Sequence, residues 1–149
     1  LPHANLVLLD SGRRGILGEN QLSWLARELD ERSDKPALVF GHFNPFPNKG
    51  VRPIKGMSDG SSLLKLLKDR KHARAYLYGH THEWQHARME HLHVIGQPAV
   101  SYYFGKGHAH GSLDMKLTKI FADLELQCID SNHKQHRARK RMSLKEKGA

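Results

Sequence analysis

Short apolar runs alternate with longer amphipathic stretches along the first half of the chain, a pattern that predicts strands and helices in turn. Residues 5–10, 37–41 and 75–78 are apolar runs with the length of buried strands, bounded by polar residues or glycine. Between them, residues 19–32 repeat leucine and alanine, and residues 61–71 repeat leucine, at helical spacing. This order predicts an α/β fold in which helices cover one face of a sheet.

The second half of the chain carries patterns that predict mainly strands. Residues 84–89 and 91–95 indicate a hairpin, residues 98–104 a further strand, and residues 113–129 one or two more. Glycine, proline and lysine dominate the intervening segments, which predict loops at residues 46–58 and 105–111. No internal repeat is present.

Composition places the chain among globular proteins. Its 149 residues predict one domain, and 38% hydrophobic with 26% charged residues is a typical balance for a packed core. No apolar run approaches the roughly 20 residues that cross a bilayer, so no membrane partner is expected. No signal-peptide pattern stands at Leu1, which leaves the cytoplasm as the default expectation. Cys128 is the single cysteine, which excludes a disulfide framework and a multi-thiolate metal site.

The net charge of +9 is concentrated at the end of the chain. Residues 134–149 hold seven Lys or Arg and one Glu, so this segment alone carries +6. We therefore divide the chain into a domain at residues 1–132 and a basic tail at residues 133–149, which we expect to be disordered and dispensable for folding. Such a tail can bind the phosphates of nucleic acid. It lacks interleaved aromatic residues for base stacking, which favours a solvated tail.

Histidines follow two of the predicted strands directly. His42 comes after residues 37–41, and His80 and His82 come after residues 75–78. The carboxyl ends of parallel strands meet at one edge of a sheet, and two residues spaced by two face the same side of an extended chain. Three imidazoles at one edge predict a site for a transition metal such as Zn, Mn or Fe. The alternative is that these histidines are exposed residues at the starts of loops.

Four segments of the sequence together resemble the calcineurin-like metallophosphoesterases, in the branch of the cyclic-nucleotide and glycerophosphodiester phosphodiesterases. The similarity covers roughly residues 5–129. Its motifs, in chain order, are Leu9-Asp10-Ser11, Gln21-Leu22-Ser23-Trp24-Leu25, Val39-Phe40-Gly41-His42-Phe43-Asn44-Pro45 and Tyr78-Gly79-His80-Thr81-His82.

The resemblance implies a partial αββα sandwich, a centre of two divalent or trivalent metal ions, and hydrolysis of a small phosphomono- or phosphodiester. By the same analogy, His42 and His80 bind one metal and His82 binds the other, as ligands and not as acid–base catalysts, so no catalytic residue is assigned. Asn44 lies in the loop after His42 and is a candidate for substrate contact.

The chain departs from the family pattern in one respect. The Asp-x-His and Gly-Asp motifs of the family's first half do not occur in these 149 residues, and the one Asn-His pair, Asn132-His133, follows the region of resemblance instead of preceding it. We therefore expect this chain to match the C-terminal half of the domain, to bind metal weakly or as a single ion, and to be inactive alone. The alternative is a non-catalytic remnant or a basic nucleic-acid-binding chain. Nothing in the sequence indicates an oligomeric state.

Other histidines are interpreted as structural or solvated. His108 and His110 lie among glycines and predict a surface loop, with substrate contact or adventitious metal binding as alternatives. His86, His91 and His93, on the predicted hairpin, are expected to be solvated.

Overall fold

A computed structural model describes residues 1–46, 56–101 and 107–145 of the chain. Within these ranges the helices are α1 (Gly18–Glu31) and α2 (Gly60–Lys68). The strands are β1 (Asn5–Leu8), β2 (Ala37–Gly41), β3 (Ala73–Tyr78), β4 (Gln85–Met89), β5 (Leu92–Gly96), β6 (Gly111–Leu117), β7 (Phe121–Cys128) and β8 (Arg139–Ser143).

The first sheet has five strands in the order β1-β2-β3-β5-β4. The neighbours β1 and β2, β2 and β3, and β3 and β5 are parallel. The outermost strand, β4, pairs antiparallel with β5. All six residues of β3 are buried, as expected for a central strand covered on both faces. The predicted α/β order of strands and helices is confirmed.

Both helices pack on one face of this sheet. Leu25 and Leu29 of α1 join Leu63 and Leu67 of α2 in a core that includes Tyr76. Apolar side chains at helical spacing thus lie toward the sheet, as the sequence predicted.

The start of α1 is fixed from a distant part of the chain. Asp59, the residue before α2, accepts hydrogen bonds on its Oδ2 from the backbone N–H groups of Leu17 and Gly18, both at 2.9 Å. These are donors that a helix leaves unsatisfied at its first turn, and a carboxylate is favourable there. This contact ties the two helices together next to the loop that follows β2.

A second sheet covers the other face. It has the order β6-β7-β8 and is antiparallel throughout. Leu124 and Met142 of this sheet pack in one core with Leu38, Ala75 and Ile95 of the first sheet. The two packed sheets, with helices on the outer face of the first, agree with the partial αββα sandwich that the resemblance implied.

The prediction of a disordered tail from residue 133 onward is wrong for the described part of that segment. Strand β8 pairs with β7, and its Met142 is 0% exposed. Leu144, just beyond the strand, is also buried. Buried Arg74 donates from Nε and Nη2 to the Ser143 carbonyl at 3.2 and 3.1 Å, which holds the end of β8 against the first sheet. Residues 146–149 lie outside the described residues.

Some predicted elements change or fall outside the described ranges. The predicted strand at 98–104 is reduced, within residues 98–101, to one isolated bridge between Ala99 and His110. Residues 102–106, and residues 47–55 of the predicted loop at 46–58, lie outside the described residues. The predicted helix at 61–71 ends earlier, at Lys68. Neither described helix has the length and apolar character needed to cross a bilayer.

Candidate metal centre

The loops that carry the candidate ligands leave the same edge of the first sheet. Gly41, the last residue of β2, pairs with Tyr78, the last residue of the parallel strand β3. The chain then passes directly into His42 on one side and Gly79 on the other. The Gly79 N–H donates to the His42 carbonyl at 3.1 Å, so the two loops are joined just beyond the strands.

The imidazoles of His42 and His80 face each other across this edge. His42 Nε2 lies 3.3 Å from His80 Nδ1, and the ring planes meet at 74°. Which nitrogen carries the proton depends on the tautomers of the two rings. The sequence-based prediction that these two side chains meet at one edge agrees with this geometry.

The spacing between these two nitrogens suits a shared metal ion. Two nitrogens bound at about 2.0–2.1 Å to one tetrahedral zinc lie about 3.3 Å apart. The observed separation of 3.3 Å is close to that value. The assignment of His42 and His80 to one ion, which the family resemblance implied, stays a prediction.

His82 lies close enough to this pair to be affected by it. Desolvation lowers the pKa of the His82 ring, and charge on His42 lowers it further. Both effects favour the neutral imidazole, which is the form that binds metal. The backbone turns sharply here, since His80 and His82 have φ values of 55° and 54°. Non-glycine residues seldom adopt this left-handed conformation, and such residues concentrate at functional sites.

The aromatic ring of Phe43 is a feature of this site that the sequence-based interpretation missed. It is buried, and its centroid lies 5.1 Å from the His42 ring and 4.2 Å from the His80 ring. A phenylalanine beside a candidate ligand is more often a core residue, and only the spatial arrangement reveals that one ring touches both imidazoles.

Asn44 uses its side chain locally. Its Oδ1 accepts a hydrogen bond from the Phe46 N–H at 3.0 Å, an Asx turn that shapes the loop after β2. The backbone carbonyl of Asn44 accepts from the Met57 N–H at 2.8 Å. Contact between Asn44 and a substrate stays a prediction.

Two further pairs of histidines have defined positions in the structure. His93 was expected to be solvated but is only 6% exposed, and its Nδ1 lies 2.8 Å from His86 Nε2 at the junction of the two sheets. His108 lies 3.8 Å from Glu83, the residue after His82, and His110 lies in the bridge with Ala99. The solvated interpretation was therefore wrong for His93.

No group of three or more His, Cys, Asp or Glu side chains is arranged to hold one metal ion in the part of the chain that the structure describes. His82 is therefore not grouped with the facing imidazoles of His42 and His80 around one point in the described residues, contrary to the predicted three-histidine site, and no carboxylate is grouped with them there. A site that holds two cations close together also requires negative charge between them.

Comparison with known proteins gives three relevant similarities. The chain is 30% identical over 115 residues to the 3',5'-cyclic adenosine monophosphate phosphodiesterase CpdA of Pseudomonas aeruginosa, covering 73% of this chain and 42% of that protein. It is 29% identical over 100 residues to the glycerophosphodiester phosphodiesterase GpdQ of Enterobacter lignolyticus, covering 63% of this chain and 36% of that protein. The crystal structure of a dimetal phosphatase from Danio rerio superposes with a TM-score of 0.67 at 16% identity, over 87% of this chain and 39% of that one, which supports the fold.

The chain spans about two fifths of the length of the curated relatives that it matches. No family model matches the chain.

Proposed function

Because the chain belongs to the calcineurin-like metallophosphoesterases, we propose that it contributes His42, His80 and His82 to a two-metal centre that hydrolyses a small phosphoester. The observation that carries this proposal is the 3.3 Å separation of His42 Nε2 and His80 Nδ1 at the carboxyl edge of the first sheet. We assign these two side chains to one metal and His82 to the other. The remaining ligands, including a bridging carboxylate, would come from residues beyond these 149.

The protein side chains in this proposal act by binding and orientation. His42 and His80 present nitrogen lone pairs from two loops that are joined by the Gly79–His42 backbone hydrogen bond. The lowered pKa of His82 favours the neutral ring, which is the form that can act as a ligand. When bound, a divalent metal pair supplies positive charge that stabilises a phosphoryl group during displacement. Imidazole ligands suit Mn, Fe or Zn.

The substrate class follows from the relatives and is part of the same proposal. One relative is named for a cyclic phosphodiester and another for a glycerophosphodiester. We therefore propose a small phosphodiester or phosphomonoester as the substrate.

The nucleic-acid alternative has less support from the structure. Within β8, Arg139 pairs with Glu125 at 2.6 Å and Arg141 pairs with Asp123 at 2.5 Å. These two cations face carboxylates of β7 and are less available to a phosphate backbone.

Metal titration of the 149-residue chain tests the ligand assignment. We expect isothermal titration with ZnCl₂ or MnCl₂ to show weak binding to the wild-type chain. His42→Ala or His80→Ala should weaken it at least about tenfold, since even an indirect partner of a ligand is worth that much. His3→Ala is the matched control. His3 is exposed and precedes β1, so it lies at the amino-terminal ends of the parallel strands, opposite the loops that carry His42 and His80. Equal loss in all three variants would contradict the assignment.

Hydrolysis of bis-p-nitrophenyl phosphate with added Mn²⁺ tests the need for further ligands. We expect no robust turnover by the isolated chain, because its nitrogen ligands offer no negative charge between two cations. Robust turnover that His80→Ala abolishes would show instead that these residues complete the centre by themselves.

A further inference from the structure

We propose that Phe43 and Tyr76 are positioning residues that fix the orientation of the His42 and His80 imidazoles before a metal arrives. This inference rests on the proposed metal-binding function of those two histidines. It adds to that function two side chains that are themselves neither ligands nor contacts of a substrate.

Phe43 restricts both rings at once. Its ring is perpendicular to that of His42, at 89° with a centroid distance of 5.1 Å, and tilted by 37° against that of His80 at 4.2 Å. Edge-to-face and offset contacts at these distances are favourable for aromatic rings. His42 is exposed and His80 is half-buried, and the two imidazoles also face each other. The Phe43 ring is thus a surface that both imidazoles share.

Phe43 is itself held in place from the β1–α1 connection. Gly15 in that connection has φ +68°, and a Cβ built on it would approach Phe43 Cδ1 to 3.0 Å. The absence of a side chain at Gly15 lets the backbone pack closely on the ring. Phe43 is 6% exposed as a result, so its ring has little space in which to turn away from the histidines.

Tyr76 fixes the backbone of the same residue. Its hydroxyl, on the fully buried side chain at the centre of β3, donates to the Phe43 carbonyl at 3.0 Å. A Cβ on Gly41 would overlap this hydroxyl, so glycine at the end of β2 gives it access to the loop. Burial raises the pKa of Tyr76, which keeps the phenol protonated and able to donate. The peptide plane between Phe43 and Asn44 is thus fixed by a buried hydrogen bond.

Pre-orientation matters for this site because metal ligands function only within narrow limits of position. Two half-solvated imidazoles that rotate freely would have to lose that freedom when they bind an ion. Residues that orient ligands in this way change metal affinity by about 10- to 100-fold when they are removed. The same order of effect is expected here from loss of the Tyr76 hydroxyl or the Phe43 ring.

A pair of tyrosine variants tests the proposal. Tyr76→Phe removes the hydroxyl that reaches Phe43, whereas Tyr78→Phe removes a neighbouring buried hydroxyl that donates to Gln85 Oε1 at 3.2 Å instead. Both changes delete one oxygen from one strand, so they are matched in general structural cost. Phe43→Leu provides a third variant that keeps apolar volume but lacks an aromatic ring.

The first readout is the NMR spectrum of the metal-free chain. We expect Tyr76→Phe and Phe43→Leu to shift the imidazole resonances of both His42 and His80, and Tyr78→Phe to leave them in place. Unchanged histidine resonances in Tyr76→Phe, or equal shifts in the two tyrosine variants, would overturn the proposal. This readout needs no metal, so it is independent of whether the proposed metal-binding function holds.

The second readout is the affinity for Zn²⁺ measured by calorimetry. We expect Tyr76→Phe to weaken binding about tenfold and Tyr78→Phe to change it less than about twofold. An affinity in Tyr76→Phe equal to that in Tyr78→Phe would also overturn the proposal. Absence of Zn²⁺ binding to the wild-type chain would instead reject the proposed function, and the NMR comparison would still decide the positioning role.

Discussion

The two sheets of this molecule have different sequence patterns, and only the five-stranded sheet carries candidate metal ligands. In the five-stranded sheet, β1, β2 and β3 are short apolar runs, and the parallel arrangement brings the loops after β2 and β3 to one edge. In the three-stranded sheet, buried and partly exposed residues alternate along β7, and β8 has arginines on its outer side. One sheet carries every candidate ligand, and the other carries none.

The difference shows how stability and function are divided. The second sheet closes the face of the first that the helices leave open, with Leu124 and Met142 fully or almost fully buried. Its charged side chains pair across strands on the outer side, as Arg139 does with Glu125. A sheet without candidate ligands is thus needed to bury the strands that position the histidines.

Removal of β8 should have the largest effect. Truncation after Asn132 removes the buried side chains of Met142 and Leu144 and the carbonyl that Arg74 contacts. Loss of a large buried side chain costs roughly 2 to 5 kcal/mol each, comparable to the whole stability of many domains. We expect the truncated chain to be largely unfolded by circular dichroism.

Two point variants compare the contributions to stability of the buried and the charged side chains of β8. Met142→Ala should destabilise the chain by roughly 2 to 5 kcal/mol in urea denaturation. Arg139→Ala, at an exposed position of the same strand, should remain close to wild type. A truncated chain that melts like the full chain would restore the sequence-based view of a dispensable tail.

The sequence indicated the first sheet well because its signals are local. A run such as residues 37–41 is apolar without interruption, as a strand buried on both faces requires, and His42 follows it directly. The family motifs lie at these same strand ends. Both the α/β fold and the approach of His42 to His80 could therefore be predicted without coordinates.

The sequence did not indicate β8 or the role of Phe43, because their signals depend on distant residues. The segment at residues 139–143 contains three cations and one methionine, which resembles a solvated stretch until Glu125 and Asp123 are placed opposite. Phe43 acquires its position against both imidazoles only when β2 and β3 are paired.

Acid should weaken the junction between the two sheets by a moderate amount. Burial, the neighbouring His86 and cations including Lys140 of the second sheet lower the pKa of His93 from 6.5 to about 4. The folded chain therefore keeps this ring neutral at pH values where the unfolded chain protonates it. Stability is retained above pH 6.5 and falls as the pH drops toward 4.

The size of this effect follows from the linkage of protonation to folding. At about 1.4 kcal/mol for each pH unit, the loss between pH 6.5 and 4 reaches about 3 kcal/mol. His86, which contacts His93, is only half-buried, so solvent screens the charge on the two rings. We therefore expect the free energy of unfolding to fall by about 2 kcal/mol between pH 6.5 and 4. Urea denaturation at several pH values measures it. His93→Gln should flatten the pH dependence and His3→Gln should not, and equal slopes in both would remove His93 as the cause.

Backbone strain gives the smallest predicted effect and compares the two regions directly. His80 beside the candidate ligands and Arg137 before β8 are both left-handed, with φ of 55° and 61°. A left-handed conformation costs a residue with a Cβ about 1 kcal/mol or more, and glycine pays no such cost. At each position, therefore, the glycine variant should be more stable than the alanine variant by about 1 kcal/mol.

The metal readout should then separate the two positions. His80→Gly and His80→Ala both lack the imidazole, so we expect both to lose Zn²⁺ affinity whatever their stability. Arg137→Gly and Arg137→Ala should bind Zn²⁺ as the wild-type chain does. Arg137 lies just before β8 of the second sheet, away from the loops that carry the candidate ligands. Urea denaturation and calorimetry on the four variants test this together. Loss of Zn²⁺ affinity at Arg137 comparable to that at His80 would show that metal binding depends on the second sheet as directly as on the first.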